Sequence, residues 1–285
     1  MNRITSTFTS LRMLLIAGLL LFIPSGISAQ KIKGNKNVII EERETADFHS
    51  VIVKGDFEVE LFEDEYPSVS VETDENLQQY IKTTLHDDAL EIYLSQKISR
   101  AKIMKIRIGI TTGFRYLETR GKSKVYAGYE LHTDSITIRT KGNSTVNLFA
   151  LNAPGLTLAG RDRSTIRMGA EISGNTTLDL SGHNATFLQL STASLKCLQT
   201  ENSSLRISGT SDEILLKIQD GSNFNGKEFL TGFADIFAAG SADVHINISE
   251  MANLDMSGKA DLYLYDNPKE INLNTFTGKC TLYKK

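Results

Sequence analysis

The sequence predicts an all-β protein built as a parallel β-helix, or β-solenoid, with coils of about 20 residues and one short helix near residues 77–85. Two observations carry this prediction. Apolar and polar residues alternate along most of the chain, which is typical of half-buried β-strands. From residue 119 onward, glycines recur every 18 to 22 residues at the ends of such strands. A fixed period of this length indicates stacked coils that bury their apolar sides against one another. A β-sandwich with glycine-rich turns is the alternative.

The composition excludes several classes of protein. The chain has 285 residues, of which 40% are hydrophobic and 23% are charged, with 21 Gly, two Cys and no Trp. This apolar fraction is too high for a disordered chain, and two cysteines are too few for a disulfide-rich scaffold. The formal net charge of -3 does not indicate a nucleic-acid partner. The absence of tryptophan argues against a dedicated sugar-stacking platform.

Residues 1–29 are predicted to be a secretory signal peptide. Two arginines accompany an apolar run of ten residues, 14–23, and a small residue, Ala29, precedes the predicted cleavage site before Gln30. The run is shorter than the roughly 20 residues that a membrane-spanning helix needs. An uncleaved anchor is the alternative. We expect an exported protein in the periplasm, at the cell surface or secreted, with no transmembrane segment in the mature chain.

The mature chain is predicted to have three parts. Residues 30–44 form a polar linker with a short strand at 38–40, residues 45–118 form a β-rich N-terminal part, and residues 119–285 form the solenoid. The helix candidate lies in the second part, where Leu77, Ile81 and Leu85 are spaced four residues apart and Asp74 is a suitable N-cap.

Each solenoid coil is predicted to bend at a glycine, which we call its corner. A small residue that faces inward is predicted two residues after each corner. A glycine suits such a corner because the backbone there requires a positive φ or a close approach. Glu201, which replaces the glycine in one coil, predicts a relaxed or bulged corner. The clear corners are Gly121, Gly142, Gly240, Gly258 and Gly278, and weaker ones are Gly160, Gly182, Glu201 and Gly221.

The strands carry a resemblance to a known family. The residues are Phe48-x-x-Val51-x-Val53-x-Gly55-x-Phe57-x-Val59-x-Leu61, Glu72-x-Asp74-Glu75-Asn76-Leu77 and Leu90-x-Ile92-x-Leu94, followed by the Gly-x-Ser/Ala corners. Together they resemble the head GIN domain family, whose members are often called "putative auto-transporter adhesins" and are exported proteins common in Bacteroidetes. The resemblance covers about residues 43–285. It implies a right-handed β-helix-like fold and no established biochemical activity.

Two aspartates are predicted to stack on adjacent coils, because Asp243 and Asp261 occupy the same position in successive repeats. Stacked carboxylates repel each other unless something bridges them, so the pair suggests a calcium site or an acid pair for glycoside chemistry. The interpretation we favour is two solvated side chains that splay apart or are relieved by Lys259. The coil before offers Asn225 or Phe224, and the coil after offers Thr281, so a third carboxylate is missing.

The other local candidate for partner contact is a predicted two-residue insertion at the Gly160 corner, formed by Arg161, Asp162 and Arg163. Insertions in repeats mark loops, which commonly carry binding residues. A solvated bulge is the alternative.

Other side chains predict surface or core positions. Alternation points His245 outward, and Tyr263, Tyr265 and Tyr283 cluster in the last coils, either as outward rings that could stack on sugars or as edge residues. The two cysteines are predicted to be unpaired and buried, because Cys197 and Cys280 lie about four coils, or roughly 19 Å, apart.

The sequence therefore predicts an exported, non-enzymatic β-solenoid of the cell envelope that acts as an adhesin or interaction module. We expect no catalytic residues, cofactor or metal, and as partner an envelope or extracellular protein or polysaccharide rather than nucleic acid. Arg161, Asp162, Arg163, Asp243 and Asp261 are the interaction candidates. The alternatives are a polysaccharide-binding or polysaccharide-active β-helix protein and a periplasmic scaffold that assembles end to end.

Overall fold

A computed structural model of the chain describes residues 32–285, and residues Lys33–Lys285 form one compact unit. The predicted signal peptide lies outside the described residues. Within those residues the chain forms 22 strands and one short 3₁₀ helix, so the all-β prediction is confirmed.

The strands follow one another along the whole described chain. They are β1 (Ile32–Lys33), β2 (Val38–Arg43), β3 (Ser50–Gly55), β4 (Glu58–Glu63), β5 (Ser68–Asp74), β6 (Ile81–His86), β7 (Ala89–Leu94), β8 (Ile98–Arg100), β9 (Met104–Ile110), β10 (Tyr116–Gly121) and β11 (Lys124–His132). They continue with β12 (Ile136–Thr140), β13 (Thr145–Ala153), β14 (Leu156–Gly160), β15 (Thr165–Leu180), β16 (Ala185–Gln199), β17 (Ser204–Ile218), β18 (Asn223–Ala238), β19 (Asp243–Met256), β20 (Asp261–Tyr265), β21 (Glu270–Phe276) and β22 (Thr281–Lys284). The 3₁₀ helix is Glu75–Tyr80.

Successive coils are joined as a parallel β-solenoid. From β10 onward each strand pairs in parallel with the equivalent strand of the next coil, so that Thr165 lies beside Ala185 and Ala185 beside Ser204. The ladders shift register where the long strands bend, for example between Ile172 and Asn175. The predicted parallel solenoid and its coil length are therefore confirmed.

One corner of every coil is a residue in the left-handed backbone region. These corner residues are Gly121, Gly142, Asp162, Gly182, Glu201, Asp220, Gly240, Gly258 and Gly278. The next residue donates its N–H to the corner carbonyl of the preceding coil, as Asn143 does to Gly121 at 2.8 Å and Ser241 does to Asp220 at 2.7 Å. These bonds form a ladder that links most of the corners.

Three corner predictions were wrong. The corner expected at Gly160 is Asp162, and the one expected at Gly221 is Asp220, because aspartate tolerates the left-handed region better than most residues with a side chain. Gly160 instead ends strand β14. Glu201 forms no relaxed or bulged corner, since its φ of +64° matches the others and the next N–H donates to Gly182 at 3.1 Å.

Replacing Glu201 by glycine is expected to stabilise the protein by roughly 0.5–1 kcal/mol. A side chain in the left-handed region costs about 1–2 kcal/mol, which glycine avoids, and the extra freedom of glycine in the unfolded chain offsets part of the gain. Urea denaturation followed by circular dichroism measures the change.

Asp220→Gly is the matched control for that substitution. The Asp220 carboxylate accepts the backbone N–H of Glu201 at 3.0 Å, so glycine at 220 removes a hydrogen bond while it relieves the same backbone strain. We expect no gain in stability from Asp220→Gly. An equal gain from both substitutions would contradict the role assigned to the Asp220 side chain.

The small residue two positions after each corner faces inward, as predicted. Eight of these positions, Ser123, Ser144, Ser164, Asn184, Ser203, Ser222, Ala242 and Ala260, are buried. The hydroxyls form internal ladders, such as Thr119 Oγ1 to Ser144 Oγ at 2.9 Å. Both cysteines are free, as predicted, but only Cys197 is buried, and burial raises the pKa of its thiol. Cys280 is partly exposed because it belongs to the last coil.

The helix prediction was correct in existence and wrong in extent. Residues Ile81–His86 form strand β6, which turns back at Asp87 to pair antiparallel with β7. The four-residue spacing of Leu77, Ile81 and Leu85 is also a multiple of the two-residue period of a strand. It therefore could not distinguish the two structures.

Asp74 occupies the predicted N-cap position but makes no side-chain cap hydrogen bond. Its fully buried carboxylate instead accepts the backbone N–H groups of Lys36 and Lys102, the latter at 2.6 Å. Asn76 adds two bonds, accepting the N–H of Asn35 at 2.8 Å and donating to the carbonyl of Lys33 at 2.9 Å. We call Asp74 and Asn76 the N-terminal clamp.

The two ends of the solenoid differ. At the N-terminal end the coils continue into antiparallel strands, since β5 lies between β2 and β9 while β6 pairs with β7. The predicted short strand at 38–40 is confirmed and extends to Arg43. At the other end, Leu273 and Phe276 of β21 lie beside buried residues of β19, yet they are 55% and 43% exposed.

Candidate interaction surface

A stack of three rings lies on the outer face of the last coils. His245, Tyr263 and Tyr283 follow one another in the register of β19, β20 and β22. The His245 and Tyr263 rings have centroids 4.3 Å apart and planes 7° apart, and Tyr263 and Tyr283 are 4.5 Å and 8° apart. Parallel strands place equivalent side chains about 4.8 Å apart, which suits stacked planar groups. We call these three residues the ring column.

The ring column is bordered by the two aspartates. Asp243 lies beside Asp261 in the register of β19 and β20, so the predicted stacking is confirmed. His245 Nε2 lies 3.1 Å from Asp243 Oδ1, and His245 Nδ1 lies 3.1 Å from the hydroxyl of Tyr265. The imidazole therefore has a carboxylate on one side and a phenol on the other.

The coils on either side of the aspartate pair add no carboxylate. Thr281 follows Asp261, as predicted, but the neighbour before Asp243 is Asn223 rather than Asn225 or Phe224. Asn225 lies beside His245 instead, because the side chains alternate along the strand. Within residues 32–285 no group of three His, Cys, Asp or Glu side chains is arranged to hold a metal ion.

Two lysines lie over the tyrosines of this surface. Lys227 Nζ is 5.4 Å from the ring centroid of Tyr265, and Lys285 Nζ is 5.3 Å from that of Tyr263 and 5.8 Å from that of Tyr283. Desolvation, together with neighbouring Tyr283 and the two aspartates, raises the pKa of the Tyr263 hydroxyl. Because the rings cover one another inside the column, the surface presents hydroxyl groups, ring edges and the outer face of Tyr283 to solvent.

The ring column continues a longer row of planar side chains on the same face. Each member lies beside the next in register, and the Arg167 guanidinium lies 4.8 Å from the ring centroid of Phe187. The row was not predicted, because its members are recognised only once the register between coils is known. Its members, before His245, are Tyr126, Asn147, Arg167, Phe187, Arg206 and Asn225.

The structure contradicts the predicted insertion at Arg161–Arg163. Thr140, Gly160 and Leu180 are neighbours in register, as are Thr145 and Thr165, so the coil between them contains no extra residue. The apparent insertion arose from placing the corner at Gly160 instead of Asp162.

The side chains of Arg161 and Asp162 and the backbone of Arg163 have structural partners. The Arg161 guanidinium donates to the Asp179 carboxylate and, at 2.8 Å, to the Asp179 carbonyl. The Asp162 carboxylate accepts the N–H of Gly142 at 3.0 Å, and the Arg163 N–H donates to the Gly142 carbonyl at 3.0 Å. The segment lies four coils, or roughly 19 Å, from the aspartate pair. The five predicted interaction residues therefore do not form one site.

Comparison with known proteins identifies the family. A family model described as "Putative auto-transporter adhesin, head GIN domain" matches residues 47–182 and 165–268. No curated protein matches the chain. No helix among residues 32–285 is long and apolar enough to cross a membrane.

Several solved structures have a similar fold. A "putative adhesin" from Parabacteroides merdae is 15% identical, with a TM-score of 0.66 over 90% of this chain and 99% of its own. A second "putative adhesin", from Parabacteroides distasonis, is 15% identical, with a TM-score of 0.66 over 90% of this chain and 100% of its own. A "putative lipid binding protein" from the same species is 17% identical, with a TM-score of 0.65 over 90% of this chain and 100% of its own. The family match extends over most of the coils described above, and this chain belongs to the head GIN domain family of auto-transporter adhesin-like proteins.

Proposed function

We propose that this protein is an exported, non-enzymatic component of the cell envelope that binds an extracellular or envelope partner as an adhesin-like module. The observation that carries the proposal is the ring column with its bordering aspartates and lysines. It places hydrogen-bonding groups at regular intervals on a flat, rigid sheet. Extended solenoid faces of this kind bind through many distributed contacts rather than through one pocket.

The exposed chemistry favours a polar partner surface over stacked sugar rings. A sugar ring binds an aromatic side chain through its face, and both faces of Tyr263 and one face each of His245 and Tyr283 lie against neighbouring rings. What remains accessible is a row of hydroxyls between Asp243 and Asp261 on one side and Lys227 on the other. A protein partner with alternating donors and charges fits this row.

The family match and the adhesin descriptions of the similar structures support an envelope or extracellular location. The predicted signal peptide supports the same proposal. Protease treatment of intact cells tests it, since an exposed protein is digested while a cytoplasmic marker survives. Protection of the protein in intact cells, together with digestion after the outer membrane is opened, would place it in the periplasm instead.

Adhesion is tested with fluorescent beads coated with the purified protein and applied to glass coated with mucin, collagen or albumin. We expect the wild-type beads to adhere to mucin or collagen at least about tenfold more than to albumin. The triple variant His245→Ser, Tyr263→Ser, Tyr283→Ser is expected to lose most of that adhesion, because a few central side chains carry most of the binding energy of an interface.

Tyr129→Ser is the matched control for the bead experiment, because Tyr129 is 82% exposed and lies outside the ring column. It is expected to adhere like the wild type. Circular dichroism of each variant confirms that the solenoid is folded. Equal adhesion of the triple variant and the wild type, or no adhesion above albumin by the wild type, would contradict the proposal.

A further inference from the structure

A second surface is formed by the strands that precede the corners, in the middle of the solenoid. It consists of nine outward positions on three neighbouring coils, which we call the checkered patch. Its rows along the strands are Ser194, Lys196 and Leu198 in β16, then Glu213, Leu215 and Lys217 in β17, then Phe233, Asp235 and Phe237 in β18. Register places Ser194, Glu213 and Phe233 in one column, Lys196, Leu215 and Asp235 in the next, and Leu198, Lys217 and Phe237 in the third.

The patch exposes large apolar side chains on a rigid sheet. Phe233 is 52% exposed, Phe237 is 42% exposed and Leu198 is 36% exposed. Beside Phe233 and Leu215 lies a groove of about 540 Å³. Exposed aromatic side chains clustered with aliphatic ones are typical of protein interfaces.

The four charged residues of the patch form no ion pair with another described residue. Among residues 32–285, no salt bridge within 4.0 Å involves Lys196, Glu213, Lys217 or Asp235. Asp235 Oδ1 accepts a hydrogen bond from Asn253 at 2.7 Å, and Lys217 Nζ lies 5.3 Å from the ring centroid of Phe237. Charges of both signs are therefore available to a partner.

We propose that the checkered patch is the interface of a symmetric homodimer. A two-fold axis lying in the plane of the sheet, along the diagonal through Ser194, Leu215 and Phe237, exchanges rows with columns. Each off-diagonal residue then faces a complementary one across the axis, and each residue on the axis faces itself. The pairs are Lys196 with Glu213, Lys217 with Asp235, Leu198 with Phe233, Leu215 with Leu215 and Phe237 with Phe237.

The charges select this axis over the three other symmetric choices. An axis along the strands places Lys217 against Lys217, and an axis along the solenoid places Lys196 against Lys196. The opposite diagonal places Lys196 against Lys217. Like charges directly opposed at an interface cost several kcal/mol, so only the first diagonal gives a favourable arrangement.

The geometry is compatible with known sheet packing. Positions in the patch are about 6.8 Å apart along a strand and about 4.8 Å apart between coils, so exchanging rows and columns by a 90° crossing misplaces the side chains by about 2–3 Å. Lysine and glutamate side chains are flexible enough to absorb this difference. The strands of the two copies would cross at close to 90°, which is one of the two preferred arrangements of packed sheets. The contact is isologous, as in most dimers.

The patch is small, so the dimer is expected to be weak. Its nine positions span roughly 14 Å by 10 Å, well below the approximately 800 Å² that each partner buries in a standard interface. We expect a dimer that forms at about 10–500 μM protein and whose population increases where the chain is concentrated on a surface.

Sedimentation equilibrium of the purified protein over that concentration range tests the proposal. Lys217→Glu is expected to raise the dissociation constant at least about tenfold. The new carboxylate of each copy faces Asp235 of the other copy, so the dimer contains two pairs of opposed negative charges. The double variant Lys217→Glu, Asp235→Lys is expected to return it to within about threefold of the wild type, since the exchanged charges pair again. Lys259→Glu, an exposed corner residue outside the patch, is the control and is expected to leave the dissociation constant unchanged.

A further variant separates this interface from stacking through the open end of the solenoid. Leu273→Glu places a charge at that end and is expected to leave the dimer intact. A strictly monomeric wild type at the top of that concentration range, a dimer indifferent to Lys217→Glu, failure of the double variant to restore it, or dissociation by Leu273→Glu would each overturn the proposal. The measurement uses purified protein alone, so its outcome is independent of the adhesion proposed above.

Discussion

Replacing Gly209 by alanine is expected to lower the free energy of unfolding by about 4 kcal/mol. Gly209 lies in β17 with a φ of +113°, and a Cβ there would be 2.0 Å from the carbonyl oxygen of Leu190 on the neighbouring coil. This separation is far inside van der Waals contact, and the oxygen belongs to the backbone, so no side chain can move aside. The unfavourable φ and the forced separation of two packed strands both contribute.

The loss should be visible as a change in cooperativity as well as in stability. Each coil of a solenoid contacts only its neighbours, so a weakened junction between β16 and β17 divides the molecule into two parts. We expect urea denaturation of Gly209→Ala, followed by circular dichroism, to begin at lower urea and to spread into two transitions.

Gly128→Ala is the matched control for Gly209→Ala. A Cβ at Gly128 meets nothing within 4 Å, and its φ is not positive. The substitution is expected to change the free energy of unfolding by no more than about 0.5 kcal/mol. Equal denaturation midpoints for the two alanine variants would show that the coils adjust to a side chain at position 209.

Features that depend on local sequence were predictable, and features that depend on register were not. Most corner positions followed from glycine, yet the corners at Asp162 and Asp220 were not predictable in this way, because each lies within two residues of a glycine, Gly160 or Gly221, that has no positive φ. The outward direction of His245 followed from alternation. Its contacts with Tyr263 and Tyr265 did not, because coil lengths vary and a neighbour is fixed only by the pairing of whole strands.

The checkered patch shows the same dependence on register. Its three segments, 194–198, 213–217 and 233–237, are each ordinary alternating strands in the sequence. Their charges form a self-complementary arrangement only when the pairing of Ser194 with Glu213 and that of Glu213 with Phe233 are known. A shift of one residue would turn these side chains into the core.

Replacing Asp74 by alanine is expected to cost about 3 kcal/mol and to release the segment 33–37 from the body of the protein. The Asp74 carboxylate is fully buried and accepts the N–H groups of Lys36 and Lys102. Hydrogen bonds to a charged group each contribute about 1.5–3 kcal/mol, and their loss leaves two donors without their partner. Limited trypsin digestion should cut after Lys33 and Lys36 markedly faster in Asp74→Ala than in the wild type.

Two further variants distinguish the clamp from a general effect of charge. Asp74→Asn keeps one acceptor oxygen but presents an NH₂ group to the second N–H, so we expect an intermediate rate of cleavage and about half of the loss in stability. Glu75→Ala removes an exposed carboxylate that accepts a hydrogen bond from the Asn37 side chain at 2.9 Å, and it should behave like the wild type. If Glu75→Ala were cleaved as fast as Asp74→Ala, acidic charge near the 3₁₀ helix, rather than the buried bonds of Asp74, would hold the N-terminal segment.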